Sequence, residues 1–325
     1  MPKRIHFGHF PTPLEESRTS VNELKGLKFY WKRDDLSGFA LGGNKVRQVE
    51  FILADAIEKE RDVLVVAGGM HSNFIRVLAA AAKSLGLDII AAFYGSKPTV
   101  AEGNLLLCQQ LGLEQHFSGS ADRASSEDLA MQIFADLTQR GRKPHLVARG
   151  GASAHACVGS YLFFNELMEQ CQSRNISFEN LIVPTGSCTT LAGVSLAAAV
   201  SSSNVQIWGI SVSRSKAEIL SRISELQKHT SALISVDPVK AARIEVIDDY
   251  IGDGYGIPSE SANLTIRMVA ESTGIFLDPV FTGKAFHGFL DLVKKNKIKA
   301  HERHIFLHSG GHPNLFVSPK NLKLI

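Results

Sequence analysis

The sequence predicts an α/β protein built on parallel sheets. Two observations carry this. Short apolar segments such as Asp62–Ala67 (DVLVVA) and Asp88–Tyr94 alternate with longer stretches of helical periodicity. Strands that are apolar along their whole length belong to sheets covered by helices on both faces. Glycine-rich or hydroxyl-rich turns also follow strand after strand, beginning after residues 43, 67, 149, 183 and 307. In a parallel sheet such turns lie where ligands bind.

The elements follow in order. Pro11-Thr12-Pro13-Leu14 is an extended entry, because proline resists helix and biases its neighbour the same way. Leu27–Lys32 is a short strand. A loop leads to a helix over about residues 45 to 59, with Val46, Val49, Ile52 and Leu53 on its apolar face. Strand Asp62–Ala67 is followed by helix Phe74–Leu85, closed by Gly86. Strand Asp88–Tyr94, helix Val100–Leu111, strand Glu114–Phe117, helix Ala124–Arg140 and strand His145–Ala148 continue the alternation. Helix Ala154–Gln172, strand Leu181–Val183, helix Leu191–Ser201, strand Val205–Val212 and helix Ser213–Lys228 come next. The stretch 229–247 carries no clear period. Asp248–Pro258 is a glycine-rich loop, helices follow over about 259–273 and 283–296, and Ile305–Leu307 is the last strand.

At 325 residues the chain is long enough for a large core, and two domains are expected. Its net charge of +3 comes from dispersed residues, with no basic run, which argues against a nucleic-acid partner. Cys108, Cys157, Cys171 and Cys188 form no Cys-x-x-Cys pair and no disulfide scaffold, which fits a reducing cytoplasm. The first residues contain no apolar signal region, and no apolar run approaches the roughly 20 residues of a membrane span. Gly252-x-Gly254-x-Gly256 lacks the strand and helix of a dinucleotide fingerprint, and His301-Glu302-Arg303-His304 has the wrong spacing for a zinc helix, so no metal site is expected.

Three turns could carry chemistry. Gly42-Gly43-Asn44-Lys45 ends a loop and opens a helix. Asn44 is a suitable N-cap, which puts Lys45 in the first turn, facing the positive end of the helix dipole. If partly buried as well, its amine would have a lowered pKa and would suit Schiff-base chemistry with an aldehyde cofactor. By itself the stretch reads rather as a surface lysine after a cap. Thr185-Gly186-Ser187-Cys188-Thr189-Thr190 follows a buried strand and opens a helix. Its free N–H groups and hydroxyls suit a phosphate, though an ordinary capped turn has the same composition. Ser72-Asn73 also opens a helix. It can bind a carboxylate or an aromatic hydroxyl, or simply cap the helix.

Taken together, the ordered set of motifs resembles the fold-type II pyridoxal phosphate enzymes, in particular the 1-aminocyclopropane-1-carboxylate deaminase and D-cysteine desulfhydrase family. The matching residues are Pro11-Thr12-Pro13-Leu14-Glu15, Lys32-Arg33-Asp34-Asp35, Gly42-Gly43-Asn44-Lys45, Ser72-Asn73 with Arg76, Thr185-Gly186-Ser187, Gly254-Tyr255-Gly256-Ile257-Pro258, Asp278-Pro279-Val280 with Gly283-Lys284, and Gly310-Gly311. The resemblance implies a two-domain, tryptophan synthase β-like fold with twisted parallel sheets flanked by helices. A smaller domain of 45–156 would be inserted into a larger one of 1–44 and 157–325. It implies that Lys45 holds pyridoxal 5'-phosphate as a Schiff base, that Thr185, Gly186, Ser187, Cys188, Thr189 and Thr190 cradle its phosphate, and that Asn73 bonds its ring hydroxyl. Ser72 would meet the substrate carboxylate with a nucleophilic or acid–base role, Tyr255 would face the substrate, and Ser309 would stand near the pyridine nitrogen.

The chain departs from this pattern at Phe281, where the family has Tyr, and carries Thr282, where the deaminase has Glu and the desulfhydrase Thr. His71 stands for Gln, Ala152-Ser153 for Ser-Asn, Ala156 for a glycine, and His312-Pro313 follows the last glycine pair. The resemblance therefore implies a cytoplasmic, homodimeric lyase or deaminase of a small amino acid. A D-cysteine desulfhydrase-like reaction giving pyruvate, sulfide and ammonia is the leading expectation because of Thr282. Aminocyclopropane-carboxylate deamination is the alternative, and a pyridoxal phosphate-binding protein with little turnover is a third.

Overall fold

The computed structural model describes residues 1–18, 24 and 26–317. Its strands are β1 (Leu14–Glu16), β2 (Lys28–Arg33), β3 (Val63–Gly68), β4 (Asp88–Phe93), β5 (Glu114–Phe117), β6 (Pro144–Val147), β7 (Asn180–Thr185), β8 (Gln206–Ser211), β9 (Arg243–Ile247) and β10 (Arg303–His308). Its helices are α1 (Lys45–Glu58), α2 (Asn73–Ser84), α3 (Gly103–Gln110), α4 (Ser125–Gln139), α5 (Ala154–Ser173), α6 (Thr189–Val200), α7 (Lys216–Ile234), α8 (Glu260–Thr273) and α9 (Thr282–Lys294). No helix of the described residues is long and apolar enough to cross a membrane.

The strands form two sheets. One has six strands in the order β1-β2-β10-β7-β8-β9, parallel except for the antiparallel β1–β2 pair. The other has four parallel strands in the order β5-β4-β3-β6. The smaller sheet draws all its strands from residues 88–147 and β3, and the larger from the segments on either side.

Side-chain alternation explains why the strands read as unbroken apolar runs. In β3, Leu64 and Val66 pack with Val49, Leu53 and Val77 of α1 and α2, while Val63, Val65 and Ala67 pack with Ala130 and Leu137 of α4. In the larger sheet, Leu181, Val183, Ile305 and Leu307 face α5, α6 and α7. Ile182, Ile210 and Phe306 face α8 and α9 on the opposite side. The central strands of both sheets are buried on both faces, as period-2 strands between helices require, while the edge strands β5 and β9 are partly exposed.

Three differences from the expected elements have local causes. Helix α7 begins at Lys216 because Ser215 caps it, accepting from the Glu218 N–H, and it runs on to Ile234. The unreadable stretch contains β9, an edge strand (RIEVI) whose half-exposed side chains dilute the apolar signal. Helix α3 starts at Gly103, after an extended Glu102. The expected segments 1–44 and 157–325 include residues 19–23, 25 and 318–325, which lie outside the described residues.

Candidate active site

The loops that leave β2, β3, β6, β7, β8 and β10 converge on two adjoining cavities. Lys45, Asn73, Gly186, Ser187 and Phe281 line both. The close approach of two loops sets this arrangement. Gly43 (φ +109°) and Gly310 (φ +91°) pass so near that a Cβ on Gly310 would lie 2.7 Å from the Gly43 Cα. Only glycine allows both the backbone angle and the contact. The Asn44 N–H then donates to the Ser309 carbonyl (3.1 Å), tying the loop that delivers Lys45 to the loop that delivers Ser309. Buried Arg76 reinforces the first loop by donating to the carbonyls of Ala40 and Gly42.

Asn44 does not cap α1. It adopts helical angles (φ −57°, ψ −16°) and makes no side-chain cap. With helical rather than extended angles its side-chain oxygen does not reach the first N–H groups of α1, and its Nδ2 donates across to Thr190 Oγ1 of α6 (2.9 Å). Lys45 still occupies the first helical position. Desolvation of its amine, opposed weakly by the Cys157 and Cys188 thiols, brings its pKa down to about 8. An amine poised near neutrality serves both as a nucleophile and as a proton acceptor.

The first cavity is lined by Thr185, Gly186, Ser187, Cys188, Thr190 and Ser309, with Lys45 and Asn73. Cys188 has left-handed angles (φ 72°, ψ −16°) immediately before α6. A left-handed residue leading into a helix builds a concave set of backbone N–H groups suited to an anion. Thr190 Oγ1 accepts from Asn44 and from Gln48 Nε2 (3.1 Å). Thr189 does not line the cavity; it is buried, and its hydroxyl pairs with Ser187 Oγ at 3.2 Å. Beneath the Ser309 loop, His308 donates from Nε2 to the Phe276 carbonyl (3.0 Å) and accepts from the Gly310 N–H (3.3 Å). Asp35, His308 and His312 cluster there, with both Asp35 oxygens engaged by Arg33.

The second cavity is lined by Ser72, Tyr94 and Tyr255 together with Lys45. Ser72 does cap α2, accepting from the Ile75 N–H (3.2 Å), and still faces the cavity. Asn104 donates to Asn73 Oδ1 (2.9 Å), which leaves the Asn73 amide protons to face a ligand. Tyr255 packs edge-on against Phe281, ring centroids 5.7 Å apart. Burial, with Tyr94 nearby, pushes its phenol pKa up, so it stays protonated. The loop carrying Tyr255 is held by buried Lys284, whose ammonium donates to the carbonyls of Ile251 (2.6 Å) and Gly254 (2.9 Å).

Thr282 is turned away from both cavities. Fully buried, it donates to Asp278 Oδ1 and accepts from the Asp278 N–H, so it fixes the start of α9. It does not line either cavity, whereas the preceding Phe281 lines both. The sequence reading also missed Arg123, Arg149 and Arg214, which line the second cavity. They had a signal, since each follows β5, β6 or β8 at the ligand-binding ends of the strands.

A D-cysteine desulfhydrase of Serratia proteamaculans is 34% identical over 314 residues, covering 94% of this chain and 92% of that protein. A Pyrococcus furiosus protein, named provisionally as a 1-aminocyclopropane-1-carboxylate deaminase, is 35% identical over 308 residues, covering 95% and 92%. The solved structure of an ACC deaminase homologue superposes with a TM-score of 0.90 at 33% identity, covering 100% of this chain and 97% of that one. The family model described as pyridoxal-phosphate dependent enzyme matches residues 5–310, and with an amine of lowered pKa beside an anion cradle in the same cleft, the chain belongs to that family.

Proposed function

We propose that this enzyme is a lyase of the D-cysteine desulfhydrase type, converting a small β-substituted amino acid into a keto acid and ammonia. The observation that carries it is Lys45, an amine with a pKa near 8 on the border between an anion cradle and a second, substrate-sized cavity. The donor set fits pyridoxal phosphate: the Gly186–Thr190 turn for the phosphate, Asn73 for the ring oxygen, Ser309 near the ring nitrogen and Lys45 for the aldehyde. When bound, the cofactor supplies an electron sink beside the substrate's α-carbon. Lys45 accepts the α-proton at Nζ, Ser72 and the start of α2 orient the substrate carboxylate, and Tyr255 closes the cavity against water. A neutral hydroxyl at Ser309 makes the sink milder than a carboxylate would, which suits elimination.

Phe281 favours this reading over ring-opening deamination. It presents a hydrocarbon ring to both cavities, where an acid–base hydroxyl would serve the cyclopropane substrate. We further propose the division into 45–156 and the remainder as two units around the cleft, a homodimer and a cytoplasmic setting.

Borohydride reduction of the cofactor-loaded protein followed by peptide mapping tests the site, with the cofactor mass expected on Lys45. Keto-acid release from D-cysteine, β-chloro-D-alanine, D-serine, L-cysteine and aminocyclopropane carboxylate tests the reaction. Release from aminocyclopropane carboxylate alone would replace the lyase reading with the deaminase one. Lys45→Ala is expected to lose turnover, and retained turnover would remove Lys45 from its role.

A further inference from the structure

The second cavity holds more positive charge than a small neutral side chain needs. Arg123, Arg149 and Arg214 line it beside Lys45, Ser72 and Tyr255. Their acidic partners are peripheral: Glu127 lies 3.5 Å from Arg149 and Glu218 pairs with Arg214, and both carboxylates are nearly half exposed. The Arg123 guanidinium donates to the Ser213 carbonyl (3.4 Å) and lies over the Tyr255 ring (5.2 Å). Arg149 donates to the Arg123 carbonyl (2.9 Å) and Arg214 to the Gly186 carbonyl (3.1 Å). The Nε atoms of Arg123 and Arg149 and the Ser213 hydroxyl are buried and meet no hydrogen-bond partner among the described residues. Burial, then repulsion from Arg222 and Arg123, brings Arg214 down to about 10, which shows how closely the cations are gathered.

Buried guanidinium N–H groups left without an acceptor are costly, and an anion in the cavity would complete them. Gly186 and Ser187 border both cavities and Arg214 donates to the Gly186 carbonyl, so the cofactor phosphate is the competing anion. The placement favours a substrate group: the cavity lined by Thr185, Cys188, Thr190 and Ser309 includes no arginine, whereas the cavity with Ser72 and Tyr255 includes three. We propose that Arg123 and Arg149 form a subsite for a second anionic group on the substrate, so that the preferred substrate is an α-amino acid with a sulfonate, phosphate or carboxylate on its side chain. This rests on the lyase reading and narrows its substrate. The α-proton goes to Lys45, and the bond from Cβ to the substituent breaks with its electron pair on the leaving group. Cysteate plus water then gives pyruvate, ammonium and hydrogensulfite. O-Phosphoserine plus water gives pyruvate, ammonium and hydrogenphosphate. Aspartate offers no leaving group and binds without elimination.

The test uses cofactor-loaded enzyme and matched pairs in both configurations: cysteate against cysteine and O-phosphoserine against serine, with aspartate as a non-eliminating ligand measured by calorimetry. The charged member of at least one pair is expected to have a kcat/KM a hundredfold or more above its neutral partner. The pair that responds, or tight binding of aspartate alone, separates sulfonate, phosphate and carboxylate. R149Q and R123Q are expected to reduce that ratio at least tenfold, whereas R149K retains part of it. If no pair gives pyruvate, the lyase reading fails by itself, and calorimetry still decides the subsite: cysteate and aspartate must bind at least tenfold more tightly than cysteine and serine, and lose this in R149Q. Equal binding of charged and neutral ligands overturns the subsite. So does a fall in cofactor affinity in R149Q and R123Q with the substrate ratio unchanged, which would assign the arginines to the phosphate.

Discussion

Replacing Lys284 by Met should separate loop placement from global stability. The ammonium is buried and donates to the carbonyls of Ile251 and Gly254, which flank the approach to Tyr255. Two charge-assisted hydrogen bonds favour this conformation by about 3 to 6 kcal/mol in total. Against this, desolvation lowers the amine from 10.5 to about 8, so keeping it charged at neutral pH costs about 3 kcal/mol at about 1.4 kcal/mol per pKa unit. The two effects nearly offset. Methionine removes both, and the freed carbonyls lie in a half-exposed loop where water can reach them. The melting temperature of K284M should therefore move by only a few degrees. Hydrogen exchange in residues 248–258 should accelerate at least tenfold, and kcat/KM for keto-acid release should fall at least tenfold as Tyr255 loses its position. Unchanged exchange and activity would refute the assignment of Lys284 as the positioning residue. A melting temperature lower by 10 °C or more would show that the ammonium supports the whole fold instead.

Glu166→Gln should destabilise the protein by about 3 to 5 kcal/mol in urea unfolding, because buried Lys32 loses its carboxylate partner and buried Arg47 is left with Asp34 alone. Burial raises the Glu166 pKa, but hydrogen bonds and charge from Arg47, with the charge and hydrogen bond of Lys32, outweigh this and hold it below the ordinary 4.5. The group's stabilisation is thus present above 4.5 and is lost as pH falls through its folded value, so an acid titration of stability should be shallower in E166Q. Gly310→Ala should cost about 2 to 4 kcal/mol, from a left-handed backbone angle and a contact with the Gly43 backbone, and should weaken cofactor binding by separating the Lys45 and Ser309 loops. For Lys284 the folded pKa is lowered, so the unfolded chain binds more protons between about 8 and 10.5, and stability should rise with pH across that window in the wild type but not in K284M.

The legible part of this protein was set by local physics. Apolar strands such as β3 and β4 announce a two-sided sheet because every residue on both faces must be covered. The edge strand β9 was not legible, since one face and one edge meet solvent and its charges mask the period. Lys45, Ser72 and the Thr185–Thr190 turn were visible as helix starts behind strands, which is a property of neighbouring residues. Thr282 was legible as an identity and not as a direction: its hydroxyl points at Asp278. Asn44 was misread as a cap because its backbone is helical and its side chain turns to donate to Thr190, 146 positions away, which local sequence does not show. The sequence by itself determined the alternation of elements, the turns that open helices and the lysine at one of them. Tertiary structure alone decided what those turns face, because Arg123, Arg149 and Arg214 meet only when separate strand ends are brought to one cleft.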